Sequence, residues 1–336
     1  MVRLFIGVCS SAEKGGLFTA EFDALSGRLS APQRVPGSGP SVFLCASGDR
    51  LYSVVNLGSS AFLETFALPG RVPALLSRLN ADGAGMAYVS AVPGQLLCAY
   101  YTQGIVRAYP VGPDGLPGRS LWECPGAGSG PNRARQEGPH PHSVVPSPDG
   151  CWAVAADLGA DSLSVFPLRP GGLPPMRWFG AAPGSGPRYA AFSQDGRALY
   201  LVSELSCSLS RYFFDAANGA LRLAEELPLL RSGESGAGGD LQLSADGQFL
   251  YAGVRGPDRI AAFRLLPGGS LRPVGQYEAG GSWCSSFRLS PDGRFLLAAN
   301  FRSGSVCVLP RRQDGSLGAP VQTVLLGDPM CLRFSE

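Results

Sequence analysis

The chain has 336 residues, with 28 Lys and Arg against 26 Asp and Glu, a formal net charge of +2. Hydrophobic residues make up 45% and charged residues only 16%, too apolar a balance for a solvated random coil, while 46 Gly and 29 Pro point to frequent turns. No Lys/Arg cluster exceeds the Arg311-Arg312 pair, so a nucleic-acid-binding face is unsupported, and no apolar run approaches the roughly 18 residues of a membrane span.

The chain opens on Met1 to Cys9, with one positive charge and a short apolar stretch before Glu13 and Lys14. That is too little for a secretory leader, and a cytoplasmic protein is expected. Segments Arg3 to Cys9, Leu17 to Phe22 and Leu29 to Val35 read as strands. The nine cysteines, from Cys9 to Cys331, show no zinc or redox spacing. Most lie in strand-like runs, as Cys45 does in Val42-Phe43-Leu44-Cys45, where a thiol behaves as a small buried hydrophobe.

Further along, one string recurs: Ser147-Pro148-Asp149-Gly150, Ser193-Gln194-Asp195-Gly196, Ser244-Ala245-Asp246-Gly247 and Ser290-Pro291-Asp292-Gly293, with weaker forms at Ser47-Gly48 and Val92-Pro93-Gly94. The six glycines, 48, 94, 150, 196, 247 and 293, are 46, 56, 46, 51 and 46 residues apart. That is the period of a four-stranded propeller blade. Such strings suit tight hairpins, and apolar β-type segments flank them. Around the first full string these are His142 to Ser147, Cys151 to Ala156, Ser162 to Leu168 and Leu173 to Phe179. Helical periodicity is absent, which disfavours a parallel sheet crossed by helices.

First strands near Ser41, Met86, His142, Arg188, Asp240 and Ser285 make six blades. Pro329 to Phe334 reads as a first strand too, and with the three N-terminal strands it completes a seventh. The expected fold is therefore all-β: a seven-bladed β-propeller of four-stranded antiparallel blades, the last closed by strands from both ends of the chain. One domain over 1–336 is expected, since closure protects sheet edges.

Repeat position also predicts where chemistry sits. His142 and Arg188 each lie five residues before a turn serine, and Glu204 and Arg255 each lie eight after a turn glycine. Their side chains are expected on one face of the disc, near the channel. His140 and His142 are the only histidines, suited to proton transfer near neutrality or to solvated loop positions. A His-Pro-His metal site lacks a third ligand, so no metal or cofactor is expected. Arg188 and Arg255 offer forks for carboxylate or phosphate, or structural ion pairs. Glu204 could be shifted by burial or paired with an arginine; Asp157 could support His142 or, as preferred, cap its own turn. Gly184-Ser185-Gly186 lacks the strand-to-helix context of a nucleotide site, and no P-loop, nucleophile elbow or His-Glu-x-x-His motif occurs. The long Gly-rich stretches Gly126 to Gly138 and Ser232 to Gly239 could overhang the site.

These residues resemble the seven-bladed β-propeller lactonases, which include bacterial 6-phosphogluconolactonase and the fungal carboxymuconate lactonising enzyme. The most specific stretch is His140-Pro141-His142-Ser143-Val144-Val145, with Ser-Pro-Asp-Gly and Asp157-Leu158-Gly159-Ala160-Asp161 after it. Gly186-Pro187-Arg188, the strand end with Glu204, Arg255-Gly256, Leu297-Ala298-Ala299-Asn300 and Gly327-Asp328-Pro329-Met330-Cys331 support it. Carried over by motif, the active-site histidine, two arginines and glutamate proposed in the muconate branch fall on His142, Arg188, Arg255 and Glu204. Ser282-Trp283-Cys284-Ser285 departs from the family, which often has a His-Pro-Arg-like string there, as does Tyr101-Thr102-Gln103 from a more usual Asn-Tyr pair.

The resemblance implies metal-independent hydrolysis of a sugar-acid lactone, foremost 6-phosphogluconolactone. His142 would be the general base, Glu204 would orient water or act as acid, and Arg188 and Arg255 would bind the anionic substrate, with His140, Asp157 and Asn300 as further binding groups. Lactonisation of a carboxymuconate and a non-catalytic binding propeller are the alternatives. The expected partner is a small anionic lactone, with neither nucleic acid nor membrane.

Overall fold

Each Ser-x-Asp-Gly string closes the same turn. The glycine N–H donates to the serine carbonyl at 2.9, 2.9, 2.9 and 2.8 Å in the four full copies, and the glycine φ is +68°, +68°, +65° and +69°. This is the left-handed region that a residue without a Cβ enters at least cost. The serine hydroxyl donates to the aspartate two residues on, at 2.5 to 2.6 Å, and accepts the N–H that opens the next strand. The turn's hydrogen bonds are thus made within its own few residues.

In the computed structural model, which describes residues 1–168 and 176–335, the turns join strands into seven antiparallel sheets. The first contains Val2–Val8, Gly16–Asp23 and a third strand split into Arg28–Leu29 and Gln33–Arg34; its first-strand place, beside Val2–Val8, is taken by Pro329–Phe334. Gly7 lies opposite Cys331 and Leu4 opposite Phe334, so both ends of the chain share one sheet, as the sequence predicts. The second to seventh sheets are four-stranded meanders beginning at Ser41–Ser47, Met86–Val92, Pro141–Pro146, Pro187–Phe192, Ala237–Leu243 and Cys284–Leu289. Sheet four continues through Trp152–Asp157, Ser162–Pro167 and Arg177–Gly180; the predicted start of its last strand, at Leu173, lies outside the described residues. Among the described residues the only helical turn is 3-10, at Pro267–Gly269, and no helix is long and apolar enough to cross a membrane.

The chain divides into two compact units, one of Met1–Leu57, Phe62–Asn80 and Gln242–Glu336, the other of Gly58–Ala61 and Ala81–Leu241. Within the second, sheets three to five stack through two apolar cores. Ala153 and Ala155 join Leu97, Ala99, Val106 and Phe166 in one core, while Val154 and Ala156 join Leu199, Leu201 and Tyr212 in the other. Successive residues of a strand point to opposite faces, so a strand covered on both sides must be apolar at every position. The first unit does the same, with Leu297 and Ala299 in one core and Leu296 and Ala298 in its neighbour. Six of the nine cysteines are buried, in keeping with their apolar setting, whereas Cys9 and Cys45 are half-buried and Cys151 is exposed.

The turn chemistry has a pH signature. The Ser193 hydroxyl, followed by the Arg197 N–H, holds the Asp195 carboxyl below its ordinary 3.8. A depressed folded value stabilises above the ordinary range and is lost as pH falls through it. Ser193→Ala should cost about 1 kcal/mol near neutral pH, and urea unfolding should show a smaller gap between parent and variant in acid, below the ordinary carboxylate range, than at neutrality.

Candidate active site

Main-chain bonds in the second unit repeat with the sheets. Tyr101 N–H donates to Gly85 O at 2.8 Å, Leu158 N–H to His140 O at 3.0 Å and Glu204 N–H to Gly186 O at 2.6 Å. Each bond ties the residue after a second strand to the residue just ahead of a first strand. Tyr101, the two histidines, Arg188 and Glu204 are therefore delivered to the same end of sheets three, four and five.

Their side chains form a closed circuit. The Tyr101 and His142 rings meet edge-on at 5.6 Å, and His142 and Tyr189 at 5.2 Å. The Arg188 guanidinium lies 4.2 Å over the Tyr189 ring and donates through Nε to Glu204 Oε2 at 2.8 Å. Arg135 donates to Glu204 Oε1 at 2.7 Å and to the Tyr101 hydroxyl at 3.3 Å, which returns the circuit to its start. Arg188 and Glu204 are nearly buried, with side-chain exposures of 5% and 8%, while Arg135 is 42% exposed. Against the opposing pull of burial, hydrogen bonds to Tyr101 and Glu204 raise Arg135 above the ordinary arginine range.

Both Gly-rich stretches end in this circuit. The first supplies Arg135 and also Gln136, fully buried, whose amide donates to Leu158 O and Asp161 Oδ1. Asp161 in turn accepts the N–H groups of Gly184 and Gly186, at 2.6 and 2.8 Å. Gly184-Ser185-Gly186 is thus held by a carboxylate next to Arg188, in the connection between sheets four and five. The second stretch delivers the Gly239 carbonyl, which accepts Arg188 Nη1 at 2.9 Å. Arg135 was not among the sequence candidates; the unusual length of its loop was the signal.

The two histidines differ. His140 stacks on Tyr101 at 4.4 Å, its Nδ1 facing Tyr101 O at 2.8 Å and its Nε2 facing Glu137 Oε1 at 3.0 Å. With both nitrogens turned to oxygen acceptors it is poorly placed to take a proton from water. His142 is half-buried, set between two aromatic edges at the opening of its strand.

The match to known families covers this whole arrangement: a family described as "Lactonase, 7-bladed beta-propeller" matches residues 3–334. The chain belongs to the seven-bladed β-propeller lactonases. A 6-phosphogluconolactonase of Bacillus subtilis is 27% identical, covering 98% of this chain and 97% of its own. Another, from Formosa agariphila, is 28% identical over 92% of each. A solved periplasmic gluconolactonase of Pseudomonas aeruginosa superposes with a TM-score of 0.92 at 30% identity, covering 100% of this chain and 99% of that one.

Three further candidates of this lactonase are Arg255, Asn300 and Asp157. Arg255 belongs to the first unit, nearly buried, its guanidinium 5.1 Å from the Trp283 ring. Asn300, fully buried, donates its amide to Ala279 O at 3.1 Å and Cys307 Sγ at 3.4 Å. Asp157 is 2% exposed, and its Oδ1 accepts the N–H groups of His140, Gly159 and Ala160. It caps its own turn, the preferred sequence reading, and anchors the backbone two residues ahead of His142. Neither Asp157 nor Asn300 presents a polar atom to solvent. Among the described residues no three His, Cys, Asp or Glu side chains gather as metal ligands.

Burial raises the Asp157 carboxyl above its ordinary 3.8. A raised folded value stabilises below the ordinary range, and that benefit is lost as pH rises through it. Asp157→Ala should cost roughly 2–4 kcal/mol in urea unfolding, because three backbone donors lose their acceptor. Asp157→Asn, which keeps an acceptor oxygen, should cost less and should flatten the pH dependence.

Proposed function

We propose that this lactonase hydrolyses the ring ester of an anionic sugar-acid lactone, with 6-phosphogluconolactone as the leading substrate and His142 as general base. The observation that carries the reading is the circuit: a half-buried imidazole set in a ring with two guanidinium groups that share one carboxylate. The names of the curated relatives support the substrate class.

In this reading a water oxygen attacks the lactone carbonyl carbon while His142 takes its proton. Charge moves onto the carbonyl oxygen, where a guanidinium held in place beforehand is most effective. Collapse of the tetrahedral intermediate breaks the carbon to ring-oxygen bond, and the imidazolium returns its proton to the departing oxygen. The product is the open hydroxy acid, and His142 ends neutral. Both Glu204 oxygens accept from guanidinium groups, which favours an orienting role over donation of a proton. Arg135, the more exposed partner of Glu204, is the cation best placed to meet an anionic substrate, and Arg188 sets the carboxylate that holds it. Arg255 is kept as a substrate-binding group on its family motif and repeat position. Asp157 and Asn300 are assigned to the scaffold. No step requires a metal, and a cytoplasmic location is retained from the sequence reading.

A coupled dehydrogenase assay on 6-phosphogluconolactone tests the proposal. His142→Ala should lower kcat by about 10²–10⁴ with KM near the parental value, and chelator should leave the rate unchanged. Full turnover by His142→Ala would remove its role as base. Turnover of a carboxymuconate instead, followed by absorbance, would favour lactonisation; binding of sugar acids with no turnover would favour a non-catalytic propeller. Arg135→Gln should raise KM by about 10- to 100-fold, since a charge-assisted hydrogen bond contributes about 1.5–3 kcal/mol and about 1.4 kcal/mol is tenfold.

A further inference from the structure

Trp283 stands on a backbone position that sheets three and five give to glycine. Its carbonyl accepts Phe301 N–H at 3.0 Å, the same bond that Gly186 O makes with Glu204 N–H and Gly85 O with Tyr101 N–H. The φ values match as well: +63° at Gly186, +68° at Gly85 and +61° at Trp283. For a bulky side chain this left-handed conformation is strained, and strain of this kind collects at functional sites. The surroundings over-determine it, since Trp283 N–H donates to Asp258 Oδ1 at 2.7 Å.

Two cations meet the strained ring. The guanidinium of Arg302, an exposed residue, lies 3.6 Å from the ring centroid and that of Arg255 lies 5.1 Å from it. An indole face attracts a guanidinium plane, and the exposed Arg302, stacked by its face, can offer its N–H edges to carboxylate or phosphate, with the nearly buried Arg255 as a second positive charge beside the ring. The indole itself is half-buried, a broad apolar surface for the C–H groups of a sugar ring. All of these residues belong to the first unit, and Trp283 lies in the stretch where the sequence departs from the family.

We propose that Trp283, with the guanidinium groups of Arg255 and Arg302, is a binding platform for an anionic, polyhydroxylated small molecule of the sugar-acid class. The choice of that class rests on the proposed lactone hydrolysis; the platform itself is argued from its own residues. Its backbone strain is the cost of placing an aromatic on the left-handed conformation that glycine takes in sheets three and five.

The test measures Tm and, by calorimetry, the affinity for gluconate and 6-phosphogluconate in the full-length parent, Trp283→Gly and Trp283→Phe. Trp283→Gly should keep or raise Tm because it restores the residue suited to the backbone, while its affinity falls tenfold or more. Trp283→Phe should stay within about threefold of the parent, and both ligands should quench the parental tryptophan fluorescence more than that of Trp283→Gly. Unchanged affinity in Trp283→Gly overturns the platform, and so does loss of Tm together with affinity, which would mark a structural residue. A parent that hydrolyses the lactone while Trp283→Gly binds normally sinks the platform alone. A parent with neither turnover nor binding sinks the hydrolytic reading as well.

Discussion

A carboxylate withdrawn from water must be compensated where it stands, and Glu204 is the point on which this chain's candidate chemistry turns. Its two oxygens are taken by Arg188 and Arg135 at 2.8 and 2.7 Å. Desolvating an ion costs several kcal/mol unless opposite charge and hydrogen bonds offset it. Here the compensation comes from two different chain segments: Arg188 from a first strand and Arg135 from the long loop before sheet four. The Arg188 guanidinium is itself satisfied by the Gly239 carbonyl and the Tyr189 face. One buried charge therefore recruits a strand, a loop and a backbone carbonyl, and the imidazole of His142 is framed by the aromatic rings that complete the circuit.

The loop that brings Arg135 depends on a second buried carboxylate. Asp161, at φ +47°, accepts from the Gln136 amide and from the N–H groups of Gly184 and Gly186. An aspartate tolerates a left-handed position better than most residues, and these donors, 23 to 25 residues away in the chain, hold it there. The result is a polar scaffold under the circuit, joining the segment ahead of His142 to the segment ahead of Arg188. A β-propeller blade provides the ends of strands at a fixed spacing, while these buried polar side chains determine which of those ends can carry charge close together.

Much of the architecture was legible in the chain. The turn string, its spacing and the unbroken apolar runs around it follow from local rules: glycine for the positive φ, aspartate and serine for the turn, alternation for the faces. Those rules act within a few residues and leave a signature there. The equivalent placement of His142 and Arg188, and the end of the sheet carrying Glu204, could be counted from the same spacing. Arg135 could not, because it lies in an irregular loop with no repeat position and its register is set by the Gln136 and Asp161 side chains. Trp283 was visible only as a departure from family pattern; that its backbone shares the φ of Gly186 and Gly85 cannot be read from residue types. Asp157 and Asn300 looked like polar residues near a site, and their burial shows that backbone groups claim them first.

By itself, the amino-acid sequence determined the sheet repeat, the joining of both chain ends in one sheet, and which residues could supply proton transfer and positive charge. These are consequences of residue type at short range and of a period that each unit restates. Tertiary structure decided who partners whom. It assigned both Glu204 oxygens, separated the acceptor-bound His140 from the half-buried His142, and set a strained indole against two guanidinium groups. The physical reason is that hydrogen bonds and ion pairs fall off within a few ångströms, so their outcome depends on distances between segments far apart in the chain, which no local pattern specifies.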